Sequence, residues 1–377
     1  MMRKNRWKSY ILLIFSIFMI PAIFMGCFNY NDINKVSFST SIIFDVNDLN
    51  QVVVYLDCIK PYRSTNESSD KGRRIIYKGE GKTTLEALKE ITRVSSYRLN
   101  YSQTRAYIFT ERAARDGIKK YIDLINSDNG FQTKPSAFIY YGDVEDLLKT
   151  ASTDEEYLGL FLNDLVEQNR DNPRSVESNI NYYLTNRLMG INVSLLTSIG
   201  LKDNAIDKKV EIDGASILMN NILVDKMDLS DSLTYNLVMG TLKAGTLEVA
   251  NPQADDSLIT LEVLATSVKD KLLKNKEGLE LIKDIEIEVA IGEVQGKLLL
   301  SQEVMDYIKY SKEAYINGYC EFVFNKYKEK GLDIFDIGRM TEIYYPKEVI
   351  INPLAKTDIK FNTTIKIKGT GTIKNVL

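Results

Sequence analysis

Residues 283–294 read KDIEIEVAIGEV. Ile285, Ile287, Val289 and Ile291 fall on every second position, with Glu286 and Glu288 among the residues between them. Side chains of a strand point alternately to opposite faces, so this spacing predicts a strand with one buried and one wet face. Residues 358–368, DIKFNTTIKIK, repeat the pattern with Ile359, Phe361, Thr363, Ile365 and Ile367. Alternation of this kind predicts an antiparallel sheet covered on one side only. Residues 245–249 and 258–269 supply two more β-type runs. Between the alternating strands, 302–330 reads as one long helix. Val304, Ile308, Tyr315, Tyr319, Val323 and Tyr327 lie near one face, and Gly331 stands where helices commonly stop. The helix is expected to pack across the sheet.

Upstream, 210–218 and 222–226 are β-type runs separated by Asn220-Asn221. Asparagine accepts the positive φ of a tight primed turn, so this is a two-residue hairpin. A helix follows over 229–239 and ends at Gly240. The first half is organised differently. Runs 36–44 and 51–59 form a hairpin-like pair around polar 45–50, and 73–77 is a further strand. Thr83-Thr84-Leu85-Glu86 is a capping box opening a helix with Leu85, Leu88 and Ile91 on its apolar face. Then come a strand at 106–109, a helix at 113–125, a strand at 136–141 and a helix at 144–150. A second capping box, Thr153 to Glu156, precedes a helix to about 167; 180–188 is helical and 191–198 a strand. Alternating strands and helices predict a sheet with helices packed on it. The fold class expected is α+β: two to three α/β domains on mixed or antiparallel sheets, with a long helix near the C-terminus. The main boundary is placed near 205, with a further break near 150.

The chain opens with Arg3, Lys4, Arg6 and Lys8, then an apolar run from Ile11 to Met25 broken by Ser16 and Pro21. Some 15 apolar residues at ~1.5 Å each fall short of a ~30 Å hydrocarbon core. A basic start, a short apolar run and a small residue at its exit describe a secretory signal peptide. Gly26-Cys27 adds a lipidation signal: Gly26 fits a peptidase pocket for small side chains, and the Cys27 thiol can take a diacylglycerol. Phe24 and Met25 depart from the Leu and small residue usual there. An uncleaved signal anchor is the other reading. Cleavage before Cys27 leaves 351 residues (377 less 26), enough for two or three domains. Residues 27–35 then form a polar tether.

Net charge is −3, so composition makes no case for nucleic acid. The absence of histidine excludes Ser-His-Asp and Cys-His catalysis and every His-ligated metal site. Cys58 and Cys320 read as separate buried thiols or as one long-range disulfide. Gly79-Glu80-Gly81-Lys82-Thr83 invites a phosphate-loop reading. The Walker pattern requires glycine where Ile76 stands, so this is a turn before a capped helix. No G-x-S-x-G elbow is present, and nothing selects a catalytic pair from the 51 acids. The 22 tyrosines read as packing residues or as part of a binding surface.

The order of these features resembles the C subunits of bacterial spore germinant receptors, the Ger(x)C lipoprotein family. Cys27 is followed by Asp32-Ile33-Asn34, with Phe28-Asn29 where the family has Trp-Asp. The Gly79 to Leu88 segment is similar to the family's strand–turn–helix element. Asp213-Gly214-Ala215-Ser216-Ile217 through Val224-Asp225-Lys226 resembles the start of its C-terminal domain. Gly331 to Gly338 resembles its D-x-F-x-x-G signature after a long helix. The resemblance implies residues 1–26 as a lipoprotein signal peptide, 27–35 as the lipidated tether, 36–205 as an N-terminal region and 206–377 as a C-terminal domain. It implies a non-enzymatic scaffold or binding subunit without cofactor or metal. It would be held by lipid on Cys27 at the outer face of the inner spore membrane or cell membrane, with A and B receptor subunits as partners. The rival expectations are a lipid-anchored solute-binding protein of a transporter and, less compatible with a chain lacking histidine, a surface hydrolase.

Overall fold

In the computed structural model the apolar runs of the first half become the buried centre of a nine-stranded sheet. The structure describes residues 35–60, 73–151, 157–168, 175–176, 178–186, 190, 192–276 and 278–369, with Trp7 and Tyr10. The large sheet has the order β3-β2-β1-β5-β6-β7-β8-β9, with β4 also pairing with β1. These strands are β1 (Val36–Val46), β2 (Val52–Lys60), β3 (Arg73–Gly81), β4 (Arg98–Asn100), β5 (Ala106–Thr110), β6 (Ser136–Tyr140), β7 (Val193–Asn204), β8 (Asp207–Met219) and β9 (Ile222–Met227). β1, β5, β6 and β7 run parallel, and an antiparallel hairpin extension flanks them on each side. The central strands AYIFT and SAFIY are buried along almost their whole length, as parallel strands between two helical layers must be.

One layer consists of α1 (Thr84–Val94), α2 (Glu111–Asp116), α3 (Lys119–Ser127) and α6 (Ile180–Asn186). The other consists of α4 (Val144–Ala151) and α5 (Leu158–Gln168). The capping box at Thr83 forms in part as expected. Thr83 Oγ1 accepts from Glu86 N at 3.2 Å, whereas Glu86 Oε2 accepts from Lys82 N at 2.7 Å, one residue before the cap. The second box, 153–156, lies outside the described residues. The helix expected over 113–125 is two helices. Gly117, at φ +107°, turns the chain between α2 and α3, and Ile118 N leaves the helical ladder to donate to Asn221 O at 2.9 Å. Asn221 belongs to the β8–β9 turn, where Asn220 (φ 53°) and Asn221 (φ 68°) adopt the expected primed geometry. Residue 205, where the main boundary was placed, is the hairpin turn between β7 and β8. The large sheet continues to Met227.

The second sheet has the order β10-β11-β12-β13: β10 (Thr246–Ala250), β11 (Leu258–Lys274), β12 (Leu279–Val294) and β13 (Thr357–Gly369). It is mixed, not purely antiparallel. β12 and β13 pair in parallel, Ile285 opposite Thr363 and Ile287 opposite Ile365. The intervening chain is the reason: α8 (Gln302–Glu329) and α9 (Ile337–Tyr344) carry it back, so β13 enters in the direction of β12. β12 also starts earlier than the alternation suggested. Lys283 lies inside it, fully buried on the apolar face, and donates to Val238 O at 3.1 Å and Asp270 Oδ2 at 2.9 Å.

One face of this sheet meets α7 (Leu229–Val238) and α8 in the largest core of the molecule. That core also contains Leu195, Ala215 and Ile217 of β7 and β8, which joins the two sheets. The buried stripe of α8 is Ile308, Ile316, Cys320, Val323, Phe324 and Tyr327; the expected core residue Tyr315 is 62% exposed. The opposite sheet face is bare and charged, with ion pairs Lys366–Glu286 at 2.6 Å and Lys368–Glu288 at 2.9 Å. Helix α8 also covers the β13 edge. Glu313 Oε1 accepts from Ile365 N at 2.7 Å, and Asn317 Oδ1 from Thr363 N at 3.1 Å. Occupied N–H groups of this kind cannot template another strand.

Candidate functional site

Gly26 and Cys27 lie outside the described residues, whose first continuous stretch starts at Lys35, immediately before β1. Among the described residues no helix is long and apolar enough to cross a membrane, and no group of three His, Cys, Asp or Glu side chains could hold a metal ion. Cys58 and Cys320 are separate free thiols, as one of the two readings had it. Burial pushes both up to about 12, so they stay protonated and poorly nucleophilic.

The buried charges work as staples. Asp57, fully buried, accepts from Arg74 Nε at 2.8 Å and from Leu158 N at 2.8 Å, while Arg74 Nη1 donates to Leu148 O at 2.9 Å. One ion pair therefore fixes β2 and β3 to the end of α4 and the start of α5. Asp45 accepts from Thr110 Oγ1 at 2.5 Å and Arg112 Nη2 at 2.6 Å, tying β1 to α2. Asp231, on α7, accepts from Lys326 Nζ at 2.6 Å, Tyr327 OH at 2.8 Å and Tyr319 OH at 3.2 Å, all on α8. Burial and the adjoining Asp231 push the Tyr319 hydroxyl up to about 12. Burial likewise raises the Asp333 carboxyl to about 6, although it accepts from Ile337 N and Gly338 N. Each of these groups is engaged by protein partners.

The glycine-rich turn is a packing device. A Cβ on Gly79 would lie 2.2 Å from Ala87 O, and one on Gly81 would lie 2.7 Å from Ala87 N. The glycines let β3 press against α1, and no phosphate cradle is needed to explain them. The tyrosines divide between both readings. Tyr107, Tyr121, Tyr140, Tyr183 and Tyr327 fill the cores, whereas Tyr310 and Tyr315 stand exposed on α8.

Among the described residues a cleft of about 790 Å³ opens at the end of the large sheet where β5 and β6 begin. Its walls come from the loops before β5 (Thr104, Arg105) and β6 (Lys134), from α5 (Glu167) and from the loop after α7 (Lys243). Arg105, Lys134 and Lys243 are exposed, and no acidic partner lies within ion-pairing distance of any of them among the described residues. Sequence reasoning missed this site. Its residues are far apart in the chain, and each alone reads as an ordinary surface charge. The β1 strand starts at the same end of the sheet, through its parallel pairing with β4 and β5. The cleft is not the gap between two similar lobes that a solute-binding protein needs, because the two sheets have nine and four strands and different orders.

Comparison with known proteins gives a consistent assignment. The family model described as "Spore germination protein N-terminal domain" matches residues 29–197. That described as "Spore germination B3/GerAC like, C-terminal" matches 213–371. A curated relative, spore germination protein GerQC of Bacillus cereus, is 25% identical over 299 residues, 77% of this chain and 76% of that protein. The crystal structure of the GerBC protein is similar in fold, with a TM-score of 0.55 and 14% identity over 87% of this chain and 96% of that one.

Proposed function

Since the chain belongs to the spore germination GerAC family, the C subunits of germinant receptors, we propose that it is the lipid-anchored, non-enzymatic subunit of a nutrient germinant receptor. The observation that carries this reading is the ordered tiling of the chain by the two family models, the first starting two residues after Cys27. In this reading Cys27 bears the lipid after cleavage at Gly26. Two or more acyl chains give durable attachment where one gives only marginal binding. The protein sits at the outer face of the inner spore membrane and assembles with A and B subunits, serving as scaffold. The staples described above suit that role, since each ties neighbouring elements of the fold together. The hairpin around residue 205 lies between the two matched spans, so the N- and C-terminal regions of this reading meet there, although one sheet runs across the division.

Replacing Cys27 with Ala tests the anchor. Metabolic lipid labelling and membrane retention are expected to be lost, and persistent labelling would defeat it. Deleting the gene in its own sporulating host tests the role: germination with the cognate nutrient should fail and return on complementation. Normal nutrient germination in a strain without paralogues would refute a receptor function.

A further inference from the structure

The cleft at the start of β5 and β6 carries an unbalanced charge. Among the described lining residues three cations, Arg105, Lys134 and Lys243, stand against one acid, Glu167, an excess of +2 (3 − 1) in a chain whose net charge is −3. None of the four has an opposite charge within ion-pairing distance among the described residues. Elsewhere on the surface, cations commonly sit beside acids, as in Lys119–Asp123, Lys202–Glu211 and Lys366–Glu286. Thr104, in the same wall, is 3% exposed, and its hydroxyl has no hydrogen-bond partner among the described residues. A buried hydroxyl left unpaired is costly, and native structures rarely keep one without a reason. The cations come from loops that belong to different parts of the fold, before β5, before β6 and after α7. A cleft of this volume is in the size range of small-molecule sites.

We infer that this cleft binds an oxyanion, a carboxylate or phosphate group, contributed either by a free small molecule or by a lipid headgroup. The inference goes beyond the receptor reading and does not depend on lipid at Cys27. Guanidinium and ammonium groups are the usual recognition elements for such anions. The headgroup source is compatible with the fold, because the chain enters the sheet at the same end, through Lys35 and the start of β1.

The test is amine acylation of the full-length chain, read lysine by lysine by mass spectrometry, with Lys208 as a control. Lys208 is exposed near the β7–β8 turn, at the opposite end of the sheet. Inorganic phosphate at ten times its Kd should slow acylation of Lys134 about tenfold, because the unprotected fraction falls as 1/(1 + [L]/Kd). Lys208 should not change. Protection by phosphate in detergent solution identifies a free anion. Protection only by phosphatidylcholine vesicles containing phosphatidylglycerol, and not by phosphatidylcholine alone, identifies a headgroup. The double variant Arg105→Gln, Lys243→Gln should lose protection at Lys134 in either arm. The inference falls if neither phosphate nor anionic vesicles protect the wild-type chain, or if protection survives in the double variant. Cys27→Ala leaves the phosphate arm unchanged, so a failed anchor and a failed anion site give different results.

Discussion

The two sheets solve the same problem in opposite ways. The large sheet is walled by helices on both faces, and the carboxylates buried in it are paired, Asp57 with Arg74 and Leu158 N and Asp45 with Thr110 and Arg112. The small sheet is covered on one face and leaves its other face to water, where Glu286 and Glu288 meet Lys366 and Lys368. An ion pair therefore means different things in the two places. Breaking a buried pair strands a desolvated charge, whereas an exposed pair exchanges readily with water.

The largest effect should come from Asp57→Ala. It leaves Arg74, only 11% exposed, without its carboxylate, and a loss of ~3–5 kcal/mol in urea unfolding is expected. A cost below 1 kcal/mol would erase the contrast between the sheets. Second is a pH effect at the α8–α9 junction, beside the small sheet. Burial lifts Asp333 from 3.8 to about 6. Between those values the native state keeps a proton that the unfolded chain has released, so stability falls as pH rises from about 4 to about 6 and is level above that. Asp333→Asn should flatten this slope, which amounts to ~3 kcal/mol across the window. Burial raises neighbouring Asp336 in the same direction, so some slope should remain. Third, Gly79→Ala in the walled sheet drives a methyl into Ala87 O and should cost ~1–3 kcal/mol by overpacking. Last, Lys366→Ala on the bare face should leave the unfolding midpoint unchanged, at low and high salt alike.

The contrast between the sheets also decides what the sequence made legible. Period-2 alternation exposes a half-wet strand, so β12 and β13 were found from isoleucine spacing alone. Alternation is silent about direction, and the parallel pairing of Ile285 with Thr363 depended on how α8 returned the chain. Lys283 marked a false strand start because a buried lysine looks, in sequence, like a wet one. The Asn220-Asn221 turn was legible because positive φ restricts the choice of residue. The break at Gly117 was missed because its cause, a bond from Ile118 N to Asn221 O, is a tertiary contact. On α8, helical spacing marked Ile308 and Val323 correctly. It misplaced Tyr315, because a tyrosine on the edge of an apolar stripe packs or faces water according to what lies opposite. The cleft was invisible for a related reason: Arg105 and Lys134 meet through the parallel pairing of β5 with β6, and Lys243 joins them only through the packing of the loop after α7.

The parallel pairing of β12 with β13 also sets an order of events in time. Leu279 finds Thr357 only after the 77 residues between them have been made. Until then the long alternating strand has one open flank, and Glu313 and Asn317 have no N–H groups to hold. Non-local pairing of this sort is slow and vulnerable to misassociation. The small sheet is therefore expected to close later in folding than the hairpins of the large sheet, whose paired strands are neighbours in the chain.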